Sequence, residues 1–313
     1  MILEEFGSQP RVALLRNVGG QIVVTSTATP ELRIGDIVTT IDGQPALARE
    51  AFLLSLFPYS TPQSGIVIAD RYLLAGPDVP VKIGVRRSDG AGREVSVNRY
   101  GPYLPVGPAP AVSGAFGKLP SGLGYIDLTK LARNDVDRAF DSLIDTPGLI
   151  FDLRGYPQAT FALIAARLTD RPVSAALIRQ RVWHGPDPAA SSEDVSIQQV
   201  YPNGKPVYRG RVAVLIDGRS FSQSEHTGLF IEAAAKATFV GTPTSGTDGE
   251  VTSIMLPGGI AAHFSAEGIS HGDGRPLQRI GILPDVWVAP TLKGIQEGRD
   301  EILDAAINAL THK

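Results

Sequence analysis

The chain has 313 residues, 43% hydrophobic and 19% charged, with a formal net charge of -3. That is ample material for a buried core and for about two domains, and the small net charge gives no electrostatic case for nucleic acid or an anionic membrane as partner. The absence of cysteine excludes disulfides, thiolate zinc sites and a cysteine nucleophile. No apolar run approaches the roughly 20 residues that span a bilayer, and the opening MILEEFGSQP lacks the basic segment and apolar block of a signal peptide.

Residues 1–99 read as a small, mainly β domain. Val12–Leu15 and Gln21–Thr25 have strand character and flank Gly19-Gly20. The piece from Leu32 to Gly43, L-R-I-G-D-I-V-T-T-I-D-G, resembles the core of PDZ peptide-binding domains. There Gly35-Asp36 would end a short helix and start a strand, and Asp42-Gly43 would turn it. Val79–Arg87, a Ser88-Asp89-Gly90 turn and Arg93–Val97 close the unit. An insertion rich in leucine and alanine occupies about residues 45–79. A PDZ fold binds a peptide as an added strand; the alternative is a spacer whose groove the insertion fills. Tyr100–Gly117, dense in proline, glycine and alanine, reads as a linker.

From residue 118 to 313 strands and helices alternate, which predicts a largely parallel sheet and an α/β core. Gly124–Leu128 is a strand, and Asn134–Val136 opens a helix with aspartate caps that buries Phe140 and Leu143. Gly148–Leu153 is a buried strand ending at Arg154-Gly155-Tyr156-Pro157, and Thr160–Leu168 the helix after it. Residues 171–209 read as an irregular surface excursion, a candidate flap over the site. Thr238–Gly241 is a further buried strand, Met255–Phe264 a hairpin and Arg299–Leu310 a terminal helix.

Between these lies the stretch that carries the chemistry. Val212–Ile216 is a short, β-branched, fully buried strand. Asp217–Ser220 is turn chemistry, and Ser222 to Ala235 has helical spacing. A serine where a buried strand becomes a helix stands at the mouth of a sheet, beside the unpaired N–H groups of a first helical turn. A nucleophilic serine and its oxyanion hole need that environment. The structural alternative is that Ser220, Ser222 and Ser224 cap the helix, with Glu225 completing a capping box after Ser222.

Taken together, the pieces resemble the family of carboxy-terminal processing (tail-specific) and tricorn-like serine peptidases over essentially residues 10–310. The shared features are the PDZ-like unit, then D-L-R-G-Y-P at 152–157, S-F-S-Q-S-E-H at 220–226, V-G-T-P-T-S-G-T at 240–247 and G-I-L-P-D-V at 281–286. The resemblance implies a Clp protease/crotonase-like core in which Ser222 forms an acyl-enzyme. It implies oxyanion donors at the N–H of Gln223 and in the 152–159 loop, where Gly155 is the candidate. Three departures stand out. Gln158 and Ala159 replace a glycine pair that would permit an unusual φ. Thr247 stands where tail-specific members have the lysine base. Gln278 stands where tricorn-like members have the glutamate that orients a histidine lying before the PDZ-like domain. The segment for that histidine is not in this chain, so the expectation is either a longer natural chain or a base that has moved.

Within the chain, His226 lies four residues after Ser222 on the same helical face. It is either a base or a structural histidine beneath the turn. His263, His271 and His184 are cleft-lining candidates or surface residues, His312 is in the tail and Asp248 reads as a turn residue. Asp152 and Arg154 read as an ion pair. No spacing resembles a metal site, and no cofactor is expected. The expected function is a serine peptidase acting on peptides or proteins through Ser222, Gln223, Gly155 and His226, with Glu225, Thr247 and Gln278 lining the site. The alternative is a catalytically silent relative that binds a peptide or apolar ligand in the same cleft. No membrane span or nucleic-acid partner is expected. The resemblance leaves room for a homo-oligomer and favours an exported bacterial protein.

Overall fold

The structure is a computed structural model that describes residues 12–87, 90–101, 104, 110–187 and 189–312. The opening decapeptide, the Ser88-Asp89 part of the expected turn and residues 102, 103 and 105–109 of the expected linker lie outside the described residues. The chain divides into two compact units, one from residues up to 109 with Val288–Asp304, the other from Pro110–Trp287 with Ala305–Lys313.

The first unit is built on an antiparallel sheet. Its strands are β1 (Ala13–Val18), β2 (Gln21–Thr27), β3 (Ile37–Ile41), β4 (Gln44–Pro45), β5 (Val81–Arg86) and β6 (Gly92–Val97), in the order β1-β2-β3-β5-β6 with β4 beside β3. Asp42 and Gly43 both take positive φ, 48° and 77°, the combination that a tight two-residue hairpin requires. No helix precedes Gly35; the Asp36 carboxylate accepts the Arg33 N–H at 2.9 Å and closes a turn there instead. The insertion forms two helices, α1 (Ala46–Leu56) and α2 (Pro62–Tyr72). Thr61 and Ser64 cap α2 reciprocally, satisfying two donors that a helix start leaves free. Leu53, Ala69 and Leu73 then join Ile22, Ile41 and Ile83 in one core.

In the second unit a six-stranded sheet runs β17-β13-β12-β9-β8-β7. Its members are β7 (Phe116–Lys118), β8 (Gly124–Asp127), β9 (Gly148–Asp152), β12 (Arg211–Ile216), β13 (Ala237–Gly241) and β17 (Val286–Trp287). All pairings are parallel except β7 with β8. Residues 116 and 117, expected in the linker, are thus part of a strand, because β8 offers an open edge that Phe116 and Gly117 can pair with. Helix α3 (Val136–Leu143) buries Val136, Ala139, Phe140 and Leu143. Its aspartate caps are not formed; Asp135 makes no cap bond and pairs with Arg138 instead. Helix α4 is shorter than expected, Phe161–Ala165.

The excursion is not irregular. It is a long hairpin of β10 (Val173–Trp183) and β11 (Ser191–Val200), and β10 also pairs with β16 (Glu267–His271). Backbone ladders satisfy these strands whatever their side chains, so the polar, mostly exposed β11 gives little sequence signal. Helix α5 (Gln223–Ala234) follows β12, and β14 (Val251–Leu256) pairs only with β15 (Ile260–Ser265). Helix α6 (Leu292–Gln296) belongs to the first unit, and α7 (Glu301–Thr311) begins in the first unit's stretch and ends in the second's; the fold is mixed α/β. No helix among the described residues is long and apolar enough to cross a membrane.

Candidate active site

In a parallel sheet, sites form beyond the carboxyl ends of the strands. Here the loops after β9, β12 and β13 meet there, at the start of α5. The loop after β12 is stitched in place. The Asp217 carboxylate accepts the Arg219 N–H (2.8 Å) and its guanidinium (2.7–3.0 Å). Ser220 N–H donates to Asp217 O at 2.8 Å, and Ser245 Oγ donates to Gly218 O at 2.7 Å.

The three serines divide by what their hydroxyls touch. Ser220 is buried and donates to Leu153 O at 2.7 Å. Ser224 is fully buried and donates to Gly155 O at 2.5 Å. Ser222, half-buried between them, is the residue just before α5, at its N-cap position, and its side chain caps nothing. The expected capping box is therefore absent. Ser222 takes φ 51° and ψ -119°, a conformation that costs a non-glycine residue about 1–3 kcal/mol and persists only where the surroundings over-determine it.

Among the described residues the N–H of Gln223 and that of Gly155 have no partner, while both neighbouring serines tie the 153–155 carbonyls to this turn. Gly155 is needed sterically, because an added Cβ would meet Thr129 Cγ2 at 2.5 Å. Tyr156 packs against Phe221 with ring centroids 5.2 Å apart and the rings tilted by 44°. Ala159 adopts the left-handed φ of 53° that the missing glycines would allow freely. Borrowed bonds hold it there. Arg133 donates to Ala159 O at 2.7 Å, and the Gln223 amide can donate to Pro157 O (3.2 Å) while accepting from Ala159 N–H (3.3 Å).

Glu225 does not line the site. It is fully buried, and its carboxylate accepts the Thr244 hydroxyl, Gly246 N–H (2.6 Å) and Thr247 N–H (2.8 Å). Burial raises its pKa, and those donors partly offset the rise. It is the post on which the loop after β13 rests. That loop brings Asp248 to His226, with Oδ2 2.9 Å from Nδ1. Asp248 was expected only as a turn residue; its 22-residue separation from His226 left no sequence signal. Phe161 meets the imidazole edge-on at 5.1 Å and Phe230 lies 5.2 Å away. Gln278 braces the same loop, donating to Asp248 O and Glu267 O at 2.7 Å each. The Thr247 hydroxyl oxygen is buried without a partner among the described residues.

The other histidines are engaged elsewhere: His184 with Ser192, His263 with Ser253, His271 with Glu232, and His312 with Asn308. Asp152 and Arg154 form the expected ion pair, at 2.6 Å. Burial would raise the Asp152 carboxyl, but the Arg154 guanidinium and several hydrogen bonds hold it below the usual range. No group of three or more metal-ligating side chains occurs among the described residues.

The loops after β9 and β12 thus bring together a serine on a strained strand-to-helix turn and two N–H groups, of Gln223 and Gly155, without partners among the described residues. Residues 122–288, more than half of the chain, match peptidase family S41. The chain belongs to that family. A search among curated proteins returns no match. Among solved structures, mature CPAF is similar at 17% identity and a TM-score of 0.75, over 97% of this chain and 82% of that one. Mature CPAF complexed with lactacystin gives 16% identity and a TM-score of 0.74, over 97% and 84%. At such identity the likeness is one of fold.

Proposed function

We propose that the protein is a serine endopeptidase in which Ser222 attacks the scissile carbonyl of a polypeptide and forms an acyl-enzyme. The observation that carries this reading is the division among the serines. Two have hydroxyls committed to carbonyls of the facing loop, and Ser222 alone is free and strained. The N–H groups of Gln223 and Gly155 are the oxyanion donors, each worth roughly 3 kcal/mol of barrier. His226 is the histidine nearest in the chain to take the serine proton. Thr247 and Gln278 support the loop behind it.

The first unit, with its antiparallel sheet and two inserted helices, we read as PDZ-like over residues 1–99, joined by a linker at 100–117 to a Clp protease/crotonase-like core at 118–313. Tail-specific cleavage, export and self-association follow from the same reading. A binding protein without catalysis is the second reading, favoured by threonine at 247 and by the lack of a direct hydrogen bond to Ser222 Oγ. A fluorophosphonate probe separates the two. The expected result is labelling of the native chain and none of Ser222→Ala, with peptidase turnover lost in that variant by about 10³-fold or more. No labelling of the native chain would leave only the binding protein.

A further inference from the structure

We propose that His226 is the proton acceptor of Ser222 and that Asp248 is its positioning residue, so that the base comes from the α5 helix itself. The inference rests on Ser222 being the nucleophile.

Three observations carry it. Helical side chains lean toward the N-terminus, over the residue one turn earlier, and His226 N–H donates to Ser222 O at 3.0 Å. That lean carries the imidazole toward the turn that bears the serine. Second, the ring is held on three sides, by Asp248 at Nδ1 and by Phe161 and Phe230 on its edge and face. A carboxylate at Nδ1 fixes that nitrogen as the N–H and leaves Nε2 with the lone pair. Nε2 has no partner among the described residues. Third, Asp248 is placed by more than its own turn, since Glu225 fixes the two N–H groups before it and Gln278 fixes its carbonyl. A purely structural histidine would not need that much scaffolding behind its carboxylate.

The charged group facing the ring among the described residues is Asp248 from the β13 loop; Glu225, next to His226 on α5, is bonded into that loop, and its pKa is raised first by burial and least by Asp248. Ser222 Oγ and the ring share no direct hydrogen bond, so a serine rotation or one bridging water closes the gap as substrate binds; catalytic hydrogen bonds commonly tighten only in that complex. In the step itself the Oγ–C bond forms as the Oγ proton passes to Nε2 and the carbonyl π pair moves to the oxyanion. The oxyanion then collapses, the C–N bond breaks, and the Nε2 proton goes to the leaving amine.

The test measures kcat/KM against pH on an internally quenched peptide, with fluorophosphonate labelling rates alongside. Asp248→Asn is expected to lower kcat by about 10²–10⁴-fold with KM nearly unchanged, and to displace the acid limb of the profile. His226→Ala is expected to lose turnover and to regain part of it with added imidazole, while labelling of Ser222 slows in parallel. The inference is overturned if both variants keep the native profile and rate and lose only melting temperature. A dead Ser222→Ala beside fully active His226→Ala would overturn it too, yet leave the nucleophile in place. Absence of native labelling would overturn both.

Discussion

The loops after β9 and β12 begin with the same device and end in different states. Each carries an Asp-x-Arg in which arginine folds back on the aspartate two residues earlier, Asp152–Arg154 and Asp217–Arg219. After β12 the bonds are largely local: Ser220 closes the turn on Asp217, and the helix starts at once. After β9 the chain wanders through Tyr156 and Pro157, and Ala159 is held at positive φ by Gln223 and Arg133 from elsewhere. The first loop makes its own geometry; the second is given its geometry by the first. The oxyanion hole proposed above, with a donor from each loop, would therefore depend on side chains that bridge them.

The comparison breaks most visibly if the buried pair is cut. The Asp217 side chain is 2% exposed and that of Asp152 is 13%. Asp217→Asn, which strands Arg219 in the interior, should cost about 3–5 kcal/mol in denaturant unfolding, and Asp152→Asn clearly less. Equal costs would mean that burial does not separate the two loops.

Acid sharpens it next. The Asp152 carboxyl titrates below its unfolded value of 3.8, so its stabilisation is fully present above that pH and is lost as pH falls through the lower folded value. Glu225 has the opposite sign. Its pKa is raised above 4.5 by burial, so it favours the folded state most at low pH and progressively less as pH climbs through the raised value. Stability measured from pH 2 to 7 should show a shallower acid loss in Asp152→Asn than in the native chain. An unchanged slope would remove the ion pair from the account.

The smallest expected effect is at Ala159. Replacement by glycine should stabilise the protein by about 1 kcal/mol, because the left-handed conformation then costs nothing. In that background Gln223→Ala should harm kcat less than it does alone. Identical losses in both backgrounds would mean that the Gln223 amide does not hold the loop.

The central strands were legible because they are buried on both faces, which forces unbroken β-branched runs such as Val212–Ile216. The β12–α5 turn marked three serines alike, and the resemblance to the tail-specific and tricorn-like peptidases chose Ser222 among them. The β10–β11 hairpin was not legible, since Ser191–Val200 is held by pairing rather than by apolar pattern. Nor was the role of Glu225, because a capping box and a buried post share the same serine–glutamate spacing. What the sequence by itself determined was the order of elements, written in local patterns, and the strand-to-helix turn that carries three serines. Only the tertiary structure decided which hydroxyl stays uncommitted, what holds Ala159, and that Asp248 meets His226, because each depends on groups that approach through space across loops.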